Sequence, residues 1–125
     1  MDKLEYIRFL TGDIVYIHGS VRVISSCDGY YYATYYDEDE TLQEVNVNVI
    51  EGIPLTPEIL QKNGWKSING KYALKIKNAN YLVLDFTEDG IYTYINERTM
   101  LFVIKYVHQL QNLLYGLELN SEMEV

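Results

Sequence analysis

The chain has 125 residues, of which 48% are hydrophobic and 22% are charged, and its formal net charge at pH 7 is -8. This composition suits one compact core and excludes an intrinsically disordered chain. No apolar run approaches the ~18 residues that a membrane-spanning helix needs. Residues 1–5 have mixed charge and no apolar stretch, which predicts no signal peptide. The single cysteine, Cys27, excludes an intrachain disulfide, so we expect a cytoplasmic protein.

The negative charge is concentrated in the first half of the chain. Residues 1–58 contain 3 basic and 11 acidic residues, which gives -8, whereas residues 59–125 contain 7 of each and sum to zero. Affinity for nucleic acid comes largely from Lys and Arg side chains that neutralise phosphates. The acidic half therefore disfavours a nucleic-acid partner.

Residues 1–52 have the pattern of short antiparallel strands separated by turns. The sequence predicts four or five strands, among them Ile14–Ile17, Val21–Ile24, Tyr30–Tyr36 and Val45–Val49. The last of these alternates strictly between valine and asparagine, which predicts that its valines face a core. Several short strands in so little chain predict a small SH3-like β-barrel.

Residues 53–64 predict a short linker helix with both of its ends marked. Thr56 can cap the helix with its hydroxyl, and Pro57 suits the first helical position. Gly64 can adopt the left-handed conformation that ends a helix. A helix this short needs tertiary packing, and Trp65 is the expected anchor.

Residues 65–125 predict an antiparallel strand meander closed by an amphipathic helix. The run Met100–Ile104 is continuously apolar, which predicts a strand buried on both faces. From Val107 onward, apolar residues recur at helical spacing, and the residues 120–125 are expected to fray. The predicted fold class is α+β, mostly β, with the meander and the barrel forming one compact unit.

The sequence offers few groups for catalysis. His18 lies in a predicted turn, and His108 lies on the closing helix without an acidic partner at a fixed local spacing. Cys27 has serine and aspartate neighbours, which do not favour a reactive thiolate. The acidic stretch Asp37–Glu40 has no glycine bend and lacks the ligand spacing of a calcium loop. We therefore assign no catalytic residue, no metal site and no cofactor.

Tyrosine is the unusual feature of the composition, since 13 of the 125 residues are tyrosine. Five lie close together, at Tyr30, Tyr31, Tyr32, Tyr35 and Tyr36. On a regular strand, the even-numbered positions share one face and the odd-numbered ones the other, so one face would stay partly exposed. These tyrosines are candidate binding residues, with ordinary cross-strand packing as the open alternative.

Five lysines, at positions 62, 66, 71, 75 and 77, occur with no acidic residue between them. They form either a solvated strand edge or a small anion-binding patch. Lys71 and Lys75 are the candidate binding residues of that patch.

Two segments carry a resemblance to known proteins. They are IEGIPLTPEILQKNGW at residues 50–65 and YVHQLQNL at residues 106–113. Together they resemble a group of small uncharacterised proteins of Bacteroidales bacteria and their phages or prophages. The resemblance implies a phage or mobile-element accessory protein, and it carries over no catalytic residue.

The expected function is a non-enzymatic protein-interaction module that uses an acidic, tyrosine-rich surface. Its partner would be a second copy, in a homo-oligomer, or a host or phage protein. The alternative is a protein that binds a nucleotide or nucleic acid, in a counter-defence role, through Lys62–Lys77 and tyrosine stacking. A third interpretation, an enzyme built around His108, would require that His108→Ala abolish a detected activity.

Overall fold

The computed structural model describes residues 9–28, 31–96 and 98–125. The chain forms two compact units, residues 1–53 and residues 54–125. Each contains a five-stranded antiparallel sheet, and the second also contains a carboxy-terminal helix. The predicted α+β, mostly β, class is therefore confirmed. Within the described residues, no helix has both the length and the apolar character needed to cross a membrane.

The sheet of the first unit has the strand order β4-β3-β2-β1-β5. Its strands are β1 (Ile14–Ile17), β2 (Ser20–Cys27), β3 (Tyr32–Tyr36), β4 (Leu42–Asn46) and β5 (Ile50–Gly52). Among the described residues, no pairing between β4 and β5 closes this sheet into a barrel.

One face of this sheet carries the core of the unit. The core side chains are Phe9, Val15, Ile17, Ile24, Ala33, Val45 and Ile50, with Cys27, Tyr35 and Val47 packed against them. An irregularity in the pairing of β2 with β3 falls between Ile24 and Ser26. Because this bulge inserts one residue, Ile24 and Cys27 both face the core although an odd number of positions separates them.

The prediction of a strand over Val45–Val49 is wrong beyond its first two residues. β4 ends at Asn46, and Val47–Val49 form a turn of 3₁₀ helix. The Asn46 side chain accepts a hydrogen bond from the Asn48 backbone N–H at 2.8 Å. This local bond competes with strand pairing, and it leaves Val49 exposed rather than in the core.

The second unit is an antiparallel meander with the strand order β10-β9-β8-β7-β6. Its elements are α1 (Pro57–Lys62), β6 (Lys66–Ile68), β7 (Lys71–Lys75), β8 (Tyr81–Thr87), β9 (Gly90–Ile95), β10 (Thr99–Ile104) and α2 (Val107–Gly116), with a 3₁₀ turn at Lys77–Ala79. The predicted meander and closing helix are confirmed.

Helix α1 begins and ends as its sequence indicates. The Thr56 hydroxyl accepts a hydrogen bond from the Ile59 N–H at 3.2 Å, and Pro57 is the first helical residue. Gly64 follows with a φ of 88°, in the left-handed region. Trp65 is buried, as expected of an anchor.

The prediction that β10 is buried on both faces is wrong. β10 pairs only with β9 and forms an edge of the sheet, and Met100, Phe102 and Val103 are exposed. A bulge between Met100 and Val103 breaks the regular register. The buried Thr93 hydroxyl fills the gap, because it accepts from the Phe102 N–H at 2.9 Å and donates to the Phe102 carbonyl at 2.8 Å.

The expectation of a frayed segment after α2 is also wrong. Residues 119, 121, 123 and 125 are half-buried, and the residues between them are exposed. The segment is tied to α1 through Asn63, whose side chain exchanges two hydrogen bonds with the Glu124 backbone. Its sequence is acidic and resembles a disordered tail, so only these tertiary contacts distinguish it.

Candidate functional site

The most exposed apolar surface of the first unit lies on the sheet face opposite its core. We call it the apolar face and define it as Val21, Val23, Tyr32, Tyr36 and Leu42. These side chains are between 46% and 57% exposed. They share a face because β2, β3 and β4 are neighbouring strands and Tyr36 pairs directly with Leu42. A groove of about 420 Å³ is lined in part by Val21, Val23 and Tyr36.

The five predicted tyrosines do not form one surface. Tyr32 and Tyr36 lie on the apolar face, and Tyr31 is exposed just before β3 begins. Tyr35 points to the other side and packs against the core. Tyr30 lies outside the described residues. The predicted alternation of Tyr32 and Tyr36 against Tyr35 is thus confirmed.

Sequence reasoning missed the valines and the leucine of the apolar face. Val21 and Val23 lie within a run of four consecutive residues with three apolar ones, in which alternation is hard to recognise. Leu42 could have been found, since it lies two residues before Glu44 and four before Asn46, on the polar and therefore outward face of a strand directly after an acidic turn.

Acidic residues border the apolar face at the β3–β4 hairpin, and we call Asp37–Glu40 and Glu44 the acidic rim. Asp37–Glu40 follow Tyr36 at the tip of the β3–β4 hairpin, and Glu44 is exposed on the same face of β4 as Leu42. Residues 1–53 contain ten acidic and three basic residues, for a net charge of -7. Between residues 9 and 53 the sequence contains a single cation, Arg22.

Arg22 is already engaged by neighbours within the unit. Its guanidinium lies 2.9 Å from the Glu38 carboxylate, and it lies 5.5 Å from the centroid of the Tyr35 ring. The positive charge therefore offsets one carboxylate of the Asp37–Glu40 tip, and the sequence between residues 9 and 53 supplies no second cation for the others. The pKa of Glu38 is lowered by a hydrogen bond from its own backbone N–H and by Arg22.

The acidic tip is organised by one carboxylate. Asp37 accepts hydrogen bonds from the backbone N–H groups of Thr41 at 3.0 Å and Asp39 at 2.9 Å, and from the Gln43 amide at 2.8 Å. These bonds, the one from Thr41 foremost, lower the pKa of Asp37. Asp37 thus acts as a turn-forming residue, as in an Asx turn.

A second concave surface lies on the sheet of the second unit and contains a predicted residue. It is a cavity of about 230 Å³ lined by Ile68, Asn69, Lys71, Ala73, Tyr81, Val83 and Asn96. Ala73 and Val83 pair across β7 and β8 and are both buried, so they form an apolar floor. Lys66 of β6 pairs with Ala73, and Lys71 and Lys75 lie two residues before and after Ala73 on β7. The three lysines therefore share this face of the sheet.

The rim of this cavity is held by an asparagine network. Asn96 accepts a hydrogen bond from the Tyr81 N–H at 2.8 Å and donates to the Asn80 side chain at 2.7 Å. Asn69 and Asn96 have positive φ values, of 53° and 55°. The structure thus brings Lys71 together with a tyrosine, Tyr81, while Lys75 is exposed on the same strand outside the cavity lining.

His108 is placed in the core of the second unit. Its side chain is only 1% exposed and its ring stacks on Tyr106, with 5.8 Å between ring centroids. Burial lowers the pKa of His108 to about 4. The imidazole is therefore neutral near pH 7 and is enclosed rather than presented to a substrate. His18 lies in the β1–β2 turn, as predicted, and the Cys27 thiol is half-buried.

Asp13 is a buried acid that sequence reasoning did not single out. It accepts a hydrogen bond from the Leu10 N–H at 2.8 Å and returns one from its own N–H to the Leu10 carbonyl at 3.0 Å. Burial raises the pKa of Asp13 to about 7, against the smaller opposing effect of the bond from Leu10. The signal in the sequence was the Leu-Thr-Gly-Asp turn, in which an acid commonly pairs with backbone.

Across residues 9–28, 31–96 and 98–125, no cluster of three or more His, Cys, Asp or Glu side chains could hold a metal ion. The comparisons with known proteins are also empty: no family model matches the chain, and no curated protein or solved structure matches it significantly.

Proposed function

We propose that this protein is a non-enzymatic interaction module that binds another protein through the apolar face of its first unit. The observation that carries the proposal is the contiguous exposure of Val21, Val23, Tyr36 and Leu42 beside a groove. Contiguous apolar patches are uncommon on surfaces that meet only water. Tyrosine in particular combines large contact area with a hydroxyl at low entropic cost.

The charge of the rim indicates the chemistry of the partner. A partner must place apolar or aromatic groups on the face and basic groups opposite Glu44 and the Asp37–Glu40 tip. Two copies meeting through this face would bring two acidic rims together, and like charges in register are unfavourable. The proposal therefore favours a basic host or phage protein over self-association through this face.

Selection from a displayed random-peptide library against the full chain tests the proposal directly. We expect enriched peptides that combine Lys or Arg with aromatic or branched aliphatic residues. Their affinity should fall as salt rises, because the rim contacts are solvent-exposed. Tyr36→Ser should weaken binding by about 2 kcal/mol, which is about 30-fold, if Tyr36 is a central anchor.

A matched control lies on the other unit. Phe102→Ser removes an aromatic side chain of even greater exposure, 61%, from the edge strand β10. This variant should bind the selected peptides with the same affinity as the original chain. Peptides that bind the Val23→Ser/Tyr36→Ser variant as tightly as the original chain would refute the proposal.

Three finer features belong to the same proposal. The SH3-like assignment is supported by the position of β1 between β2 and β5 and by the 3₁₀ turn that precedes β5. A reducing compartment such as the cytoplasm is supported by the free thiol of Cys27. The accessory role in phage or mobile elements rests on the sequence resemblance alone.

The second candidate function is binding of a nucleotide or another small anionic ring compound in the cavity of the second unit. It is favoured by one observation, the presence of Lys71 and Tyr81 around the apolar floor of Ala73 and Val83. A thermal-shift series with mononucleotides and short oligonucleotides tests it. The Lys71→Glu/Lys75→Glu variant should abolish any shift, whereas Lys105→Glu, outside the cavity lining, should not. Absence of a shift at millimolar ligand would rule out this candidate.

A further inference from the structure

The segment 118–125 is bound to the second unit as an extended peptide. Exposed and half-buried residues alternate along it, and all three of its glutamates, Glu118, Glu122 and Glu124, are among the exposed residues. An alternation of period two is typical of an extended chain with one face against a surface. The half-buried positions include Met123 and Val125.

Side chains at the end of α1 and on α2 bind the backbone of this segment. The Asn63 amide donates to the Glu124 carbonyl at 2.7 Å and accepts from the Glu124 N–H at 2.9 Å. Lys62 Nζ donates to the Val125 carbonyl at 3.2 Å, and Gln111 Nε2 donates to the Ser121 carbonyl at 3.2 Å. A paired donor and acceptor on one residue is the pattern a neighbouring strand would offer.

The connection between α2 and the segment carries local strain. Glu118 has a φ of 61°, in the left-handed region that favours glycine. The helix end is closed by hydrogen bonds from the Leu119 N–H to the Leu114 carbonyl at 2.9 Å and from the Glu118 N–H to the Tyr115 carbonyl at 2.9 Å. Recognition of the segment thus comes from Asn63, Lys62 and Gln111 rather than from continuation of the helix.

We propose that Lys62, Asn63 and Gln111 form a peptide-binding site, and that residues 118–125 are its tethered occupant. The site takes an extended polypeptide that presents apolar residues on one side and acidic residues on the other. Asn63 fixes the register because it bonds both backbone groups of one residue, and Lys62 and Gln111 bond two further backbone carbonyls of the segment. Release of the tethered segment makes the site available to the same kind of segment from another chain.

This inference is independent of the proposed function, since it concerns the second unit and an acidic rather than a basic ligand. A tethered segment acts at an effective concentration of the order of millimolar. A free peptide therefore competes poorly with it in the original chain. The test must vacate the site without changing the residues that form it.

Glu124→Pro meets that requirement, because it deletes the N–H that bonds to Asn63 and alters no residue of the site. A fluorescent synthetic peptide of residues 117–125 is titrated into the full-length Glu124→Pro chain and followed by anisotropy. We expect binding at least about tenfold tighter than to the original chain, because the tethered competitor is weakened. The same peptide carrying Glu124→Pro should bind at least about tenfold more weakly than the unmodified one.

Asn63→Ala, added to the Glu124→Pro chain, should abolish peptide binding, and Asn48→Ala in the first unit is the matched control. Because Asn63 also donates to the Ile59 carbonyl, Trp65 fluorescence must show that the fold is retained. Hydrogen exchange of the original chain provides a second measurement, in which the Glu124 amide should be protected about tenfold or more. Equal binding of the two peptides, or exchange of that amide at the free-peptide rate, would overturn the proposal.

Discussion

Replacing His108 with leucine should flatten the pH dependence of stability in the second unit. In the folded chain, burial holds the pKa of His108 at about 4. In the unfolded chain the imidazole titrates near its ordinary value of about 6.5. Between these values the unfolded state binds a proton that the folded state does not. The contribution of His108 is therefore complete above about pH 6.5 and is lost as the pH falls towards 4.

The size of the effect follows from the two pKa values. Their separation of about 2.5 corresponds to about 3 kcal/mol over the whole range. Between about pH 7 and pH 4.5 the same relation gives about 2 kcal/mol. Leucine has a similar volume and no titratable group, so the variant should lose about that much less stability on acidification.

Urea unfolding at the two pH values, followed by Trp65 fluorescence, measures this difference. Trp65 is the only tryptophan and is buried in the second unit, so its signal reports on that unit. Titration of the His108 ring protons by NMR gives the folded-state pKa independently. The carboxylates that also titrate in this range are common to both proteins and cancel in the comparison. The reasoning fails if both proteins lose equal stability, or if His108 titrates near 6.5 in the folded chain.

Three further predictions concern individual side chains. Burial raises the pKa of Asp13 to about 7, so the first unit should lose stability as the pH rises from about 4 to 7. Hydrogen exchange in the first unit measures this loss, and Asp13→Asn should abolish the pH dependence. Thr93→Val should lower the free energy of unfolding in urea by about 1–3 kcal/mol, because it leaves the backbone N–H and carbonyl of Phe102 without the Thr93 hydroxyl. Thr93→Ser keeps the hydroxyl, so an equal decrease in that variant would contradict this reason. Gly90→Ala should destabilise the second unit by about 1–3 kcal/mol, since the φ of Gly90 is 134° and a Cβ there would lie 2.8 Å from Val103 Cγ1. Gly116→Ala, in open space on α2, should instead stabilise the unit by up to about 1 kcal/mol. Thermal unfolding measures both variants, and stability changes of the same sign would refute this reasoning.

Helix α1 was predictable because its signals are local. Thr56, Pro57 and Gly64 act through their own backbone geometry and their nearest hydrogen bonds, so the sequence alone locates both ends of the helix. The Asn69-Gly70 dipeptide between β6 and β7 is a local signal of the same kind, since both residues adopt the positive φ values of a tight hairpin.

The wrong predictions all concern segments whose structure depends on a competing hydrogen bond or on residues distant in the sequence. Val45–Val49 has the alternation of a strand, but the Asn46 side chain offers its backbone another bond. Met100–Ile104 is apolar enough for a central strand, and the sequence does not reveal that no strand lies beyond it. The segment after α2 is held by Asn63, about sixty residues earlier, and no local pattern predicts such a contact.

The candidate sites were predictable only in part. The alternation of Tyr32 and Tyr36 against Tyr35 follows from strand geometry and is present. The valines of the apolar face could not be assigned, because three of the four residues in Val21–Ile24 are apolar and the run shows no clear alternation. The cavity containing Lys71 depends on Tyr81 of β8 and on Asn96, which follows β9, and the fold alone brings these distant residues to it.

The engagement of Arg22 by Glu38 and Tyr35 has a consequence for proteolysis. Between residues 9 and 61 it is the only residue after which trypsin can cleave, and it lies within a central strand with its side chain largely covered. The second unit, by contrast, contains seven cleavage positions from Lys62 onward. Brief trypsin treatment should therefore cleave the second unit first and leave a fragment that ends at Lys62 and contains Arg22 uncleaved.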